Sequence, residues 1–168
     1  INATTVDSRY NMSVPEGGLV VRVQAKVLDG YEPTTNKWES IFQSAISRDN
    51  LWISPSEHQS LVRGQFPASL QERMARFHLV DNTRGEPPMW KVSEIRRADI
   101  KLEKETVSGV VELSNASRNR GYDAQVIGEI KVKDGNVVRF DMVAKGDFWG
   151  AGPYTQGPPK GKFPLAIS

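Results

Sequence analysis

The chain has 168 residues, 38% of them hydrophobic and 25% charged, which suits one domain with a real core, globular rather than disordered. Twenty-two basic residues face 20 acidic ones for a net charge of +2, so the surface is mixed and charge makes no case for nucleic-acid binding. There is no cysteine, which excludes disulfides, thiol catalysis and cysteine-based metal centres, and no apolar run is long enough to span a membrane.

Residues 1–16 read as a flexible N-terminal arm, rich in Ser, Thr and Asn and beginning at Ile1 rather than Met. Such a start suits the mature end of an exported protein, so the expected setting is extracytoplasmic, periplasmic or secreted, rather than cytoplasmic. Asn-x-Ser/Thr triplets begin at Asn2, Asn11 and Asn115. Three-letter motifs of this kind arise by chance in polar loops, and chance is the favoured reading. Residues 17–29 form the first expected strand: Leu19, Val21, Val23, Ala25 and Val27 share one face, and Asp29-Gly30 ends it.

A helical excursion is expected over residues 36–78. Trp38, Ile41, Phe42, Ala45 and Ile46 fall at amphipathic spacing, with Asn36 and Glu39 as a capping pair. Leu51-Trp52-Ile53 is a short apolar piece. Ser54-Pro55-Ser56-Glu57 carries Ser at the N-cap, Pro at N1 and Glu at N3, and Gly64 stops that helix. Pro67 opens a third helix with Leu70, Met74 and Phe77 on one side. Phe77–Asp81 could continue that helix or turn into a strand, and the turn residues Asn82 to Gly85 favour the strand. Pro87-Pro88 sets a rigid, extended corner.

Residues 95–168 alternate as an antiparallel meander, with the mixed charges of Glu94 to Glu105 as a solvated face. Its clearest part is Tyr122 to Ala144, two alternating stretches joined at Asp134-Gly135. A three-residue loop, Asp134-Gly135-Asn136, with Asn136 at positive φ, sets Ile130 opposite Phe140 and Gly128 opposite Met142; a strict two-residue loop sets Ile130 opposite Arg139 and splits the apolar face. Phe163, Leu165 and Ile167 mark a last strand that reads as longer than the chain given. The expected fold is α+β and predominantly antiparallel β: a curved sheet or partly closed barrel, with short helices inserted after the first strand and covering its greasy face. No repeat and no linker divides residues 1–168, so they read as a single domain.

Two stretches could carry chemistry. Phe77 to Trp90 holds His78, Asp81, Arg84 and Glu86, a set in which His78 or Glu86 could move a proton while Arg84 holds a carboxylate. The favoured alternative is a turn pinned by an Arg–carboxylate pair. Gly146 to Pro164, a Gly/Pro-rich loop, holds Asp147, Phe148, Trp149 and Tyr154; with Trp90, these rings are the candidate ligand contacts for a small molecule or glycan. Asp147 is the carboxylate whose pKa the neighbouring rings would raise. Two histidines that are not at ligand spacing give no metal site, and the absence of GxGxxG, GxxxxGK[ST], GxSxG and HExxH leaves no cofactor or nucleophile signature.

The leading functional expectation is a non-catalytic ligand- or partner-binding module, with its pocket between sheet and helices and with Trp149 and Tyr154 at the mouth. The alternatives are a structural or oligomerising domain with a protein partner, and a cofactor-free acid–base enzyme of hydrolase or lyase type.

Overall fold

The computed structural model describes residues 14–168. Most of the expected arm, including the triplets at Asn2 and Asn11, lies outside the described residues.

The alternating stretch at the start divides into β1 (Leu19–Val23) and β2 (Ala25–Val27) because the two halves take different partners. β1 pairs antiparallel with β3 (Asp49–Ile53), which is the short apolar piece between the helices. β2 pairs with the C-terminal strand, and Gln24 between them exchanges backbone hydrogen bonds with Ser168 at 2.7 and 2.8 Å. The excursion holds α1 (Lys37–Ser44), α2 (Pro55–Val62) and α3 (Ala68–Phe77).

The caps form largely as the residues dictate. Asn36 Oδ1 accepts the Trp38 N–H at 2.9 Å, though Glu39 turns away to the Thr34 hydroxyl. At α2 the capping box closes in both directions, with Glu57 accepting the Ser54 N–H at 2.9 Å. Gly64 follows that helix at φ +75°. Glu57 also ties α2 to α3 through Ser69 (2.9 Å) and Arg73 (2.6 Å). Burial alone would raise the Glu57 pKa, but these donors outweigh it and hold it below its usual value.

Phe77–Asp81 is not a strand. α3 runs to Phe77, and His78 caps it with its N–H on Met74 O at 3.0 Å. The helical stripe Leu70, Met74 outlasts the strand signal because Leu79 and Val80 are buried by the turn that ends the helix, not by a ladder.

After β4 (Gly85–Glu86) and one 3-10 turn come β5 (Ile95–Glu103), β6 (Thr106–Ser114), β7 (Gly121–Lys133) and β8 (Asn136–Trp149), then β9 (Tyr154–Thr155) and β10 (Lys162–Ile167). The main sheet is six antiparallel strands in the order β2–β10–β8–β7–β6–β5. It does not close into a barrel. The edge strand β5 is covered instead by α3, whose Gln71 side chain accepts the Ile100 N–H at 2.9 Å.

The β7–β8 hairpin resolves its register in an unexpected way. The turn is the two-residue Asp134-Gly135, at φ +51° and +75°, as a type I′ turn requires, and Lys133 pairs with Asn136. Asn136 is not at positive φ. A bulge at Val138 absorbs one residue, so Val132 pairs with Val137, yet Ile130 still faces Phe140 and Gly128 faces Met142. The apolar face thus stays whole although the loop is short. His58 braces the bulge: its Nε2 accepts the Val137 N–H at 3.0 Å, while its Nδ1 lies 2.8 Å from Gly17 O and donates to it.

Candidate functional site

A cavity of about 730 Å³ lies between the middle of the sheet and the elements that cross it. Its floor is made of three stretches, 106–108 of β6, 126–129 of β7 and 140–144 of β8. Its walls include Val21 and Leu51 of the β1–β3 ribbon and Met74 and Leu79 at the end of α3. The space exists for a local reason: the ribbon leaves the sheet at Gln24, and the floor below it carries small residues, Gly128 opposite Met142 and Ala144 opposite Val126.

His78 stands in this wall, its side chain 11% exposed. Its Nδ1 lies 2.8 Å from Oδ2 of Asp49, at the start of β3. A carboxylate only accepts, so Nδ1 carries the proton in that contact. Burial lowers the His78 pKa, Asp49 works against it, and Arg73 one turn back on α3 adds to the lowering. In the neutral ring that this contact and the lowered pKa favour at neutral pH, Nε2 is an acceptor with no hydrogen-bond partner among the described residues. Asp49, 29 residues away in sequence, is the orienting group that no local pattern around His78 could reveal.

The other candidates from the Phe77–Trp90 segment go elsewhere. Asp81 and Arg84 form a fully buried ion pair; Asp81 also accepts from Thr83 N (3.2 Å) and Oγ1 (2.6 Å). Arg84 donates to Gln156 O at 3.1 Å and lies 5.6 Å from the Phe163 ring centre. Glu86 is exposed in β4, opposite Tyr154. His78, Arg84 and Glu86 thus do not meet in one site.

The candidate rings mostly fill space rather than offer it. Phe148 is buried against Tyr122, Phe163 and Trp90, with ring centroids 5.7, 5.6 and 6.4 Å away. Trp90 is buried, donates its indole N–H to Leu79 O at 2.8 Å and is covered by Arg120 at 3.9 Å. Burial lowers the Arg120 pKa to about 10. Trp149 is half-buried over Gly121, with Lys162 at 4.3 Å from its ring, and only Tyr154 stands free at 74% exposure. Asp147 points away from Phe148 to solvent, because neighbours in a strand face opposite ways, so the rings do not dry it. None of these four aromatics lines the large cavity. The Gly/Pro loop instead lines a second space of about 230 Å³, where Pro158 and Pro159 face Tyr31 and Phe42.

Met74, Phe140, Met142 and Asp49 are the site residues that sequence reasoning missed. One partial signal was present: Gly128 and Ala144 are small residues on the apolar face of the hairpin, but Ala124 and Gly146 form an equally small pair on that face and do not line the cavity. Among the described residues no group of three or more His, Asp or Glu could hold a metal ion, and no helix is long and apolar enough to cross a membrane. The chain matches no protein-family model, no curated protein and no solved structure.

Proposed function

We propose that this chain is a non-catalytic module that binds an apolar small molecule in the groove between β6–β8 and the β1–β3 ribbon. The observation that supports it is the cavity of about 730 Å³, within the size range of small-molecule sites and walled chiefly by apolar side chains. Such a site gains affinity by removing apolar surface from water, and its few polar groups set orientation. An extracytoplasmic setting belongs to the same reading, on the strength of the polar Ser/Thr/Asn-rich opening of the chain.

The test is binding of N-phenyl-1-naphthylamine, a neutral apolar probe that brightens when dried. The wild-type protein is expected to bind it saturably. Met142→Trp, which sets an indole over the floor, is expected to weaken that binding at least about tenfold while costing no more than about 1–3 kcal/mol of stability. Equal binding by the variant would sink the groove reading.

A second reading, acid–base catalysis, draws on the His78–Asp49 pair, since an imidazole oriented by a carboxylate is how a general base is held. It predicts turnover of a small apolar ester that His78→Ala abolishes.

A further inference from the structure

The groove carries one ionisable side chain that is mostly out of water. Arg22 at its rim is exposed, and the lining acids Glu129 and Asp141 are both tied to Arg139 outside, at 3.2 and 2.6 Å. His78 is different. Asp49 holds its Nδ1–H at 2.8 Å, so the imidazole turns a lone pair, not a proton, toward any partner at Nε2. A lone pair repels a carboxylate oxygen and accepts from a hydroxyl. Protonating the ring to welcome an acid would place a cation in a dry wall already close to Arg73.

Resting on the groove reading, we propose that the occupant is an apolar molecule bearing a hydroxyl donor, a long-chain or polycyclic alcohol rather than a carboxylic acid, with that hydroxyl donated to Nε2 of His78. The apolar body covers the floor along Gly128 and Met142, and the hydroxyl is the point that fixes its direction. The chemistry is shared by straight-chain, polycyclic and phenolic hydroxyl compounds. Preference between them depends on the body's shape, not on His78.

The experiment displaces N-phenyl-1-naphthylamine from the whole chain at neutral pH with 1-dodecanol or with dodecanoate, two ligands of one chain length. Dodecanol is expected to displace the probe at about a tenfold lower concentration, the effect of one satisfied polar contact. His78→Phe is expected to remove that preference, read as the ratio of the two displacing concentrations and not as the variant's own affinity for the probe. His78→Gln, whose amide both donates and accepts, is expected to bring the two ligands close to parity and guards against a folding defect in the Phe variant. Equal or better displacement by dodecanoate overturns the proposal, as does an alcohol preference that survives both substitutions. A dodecanoate preference lost in Arg22→Ala moves recognition to the rim cation and also overturns it. If the probe does not bind at all, the groove reading falls as well; if it binds without an alcohol preference, only the hydroxyl assignment falls.

Discussion

The two ends of the β7–β8 hairpin are built from the same alternating pattern and come to opposite uses. Toward Gly121–Ala124 and Gly146–Trp149, Trp90, Tyr122, Phe148 and Phe163 fill the inner face, and the Asp81–Arg84 pair closes over them. Toward Val126–Gly128 and Phe140–Ala144, the face is left open under the ribbon as a cavity of about 730 Å³. A dense cluster of rings and glycines therefore marks the sealed end. The outer face of that end is used in the same way: a Cβ at Gly121 would stand 2.1 Å from the Trp149 ring, so the glycine is a seat for an aromatic side chain and not for a ligand. Open space comes where the covering element diverges, since the equally small pair Ala124 and Gly146 lies at the end that the rings fill.

The sharpest way to break this contrast is at the sealed end. Arg84 is 2% exposed, and its Nε already lacks a partner among the described residues. Asp81→Ala leaves that cation buried and unpaired and is expected to cost about 3–5 kcal/mol in urea unfolding. A loss under about 1 kcal/mol would mean that the guanidinium finds water there, and that this end is not sealed.

Truncations compare the ends directly. Phe148→Ala is expected to cost about 3–5 kcal/mol, whereas Met142→Ala, trimming a half-buried residue of the groove floor, is expected to cost about 1–2 kcal/mol. Equal losses would show that the groove is packed in solution.

The smallest effect is a pH slope. The folded His78 titrates below the value near 6.5 that it has when unfolded. Between those two values the unfolded chain holds more protons, so stability is full above about pH 6.5 and declines as pH falls through the window. His78→Gln is expected to flatten that part of the stability profile while leaving the decline at lower pH set by Glu57, whose depressed pKa makes its contribution vanish as the carboxylate protonates. An unchanged profile would mean that His78 is solvated rather than held in a dry wall.

Local rules were legible wherever one segment decided the outcome. Ser54-Pro55-Ser56-Glu57 closes its own capping box, Asp134-Gly135 makes its own turn, and the alternation of Val107, Val111 and Leu113 buries its own face. Asn36 caps α1 for the same reason, although none of α1's residues is buried and Trp38 is 73% exposed, because periodicity predicts a stripe but not a cover for it. The segment Phe77–Asp81 reads as either helix or strand because burial of Leu79 and Val80 looks the same in sequence whether a ladder or a helix-ending turn supplies it, and the structure ends the helix there.

What the sequence by itself determined is the antiparallel sheet, its greasy face and the helix caps, since each is governed by neighbours within a few residues. Only the tertiary structure decided the bulge at Val138, the open edge covered by Gln71, the sealing of the aromatic end and the pairing of Asp49 with His78. Those depend on which distant groups arrive at one place, and a side chain's partner across 29 residues leaves no periodic trace in the chain.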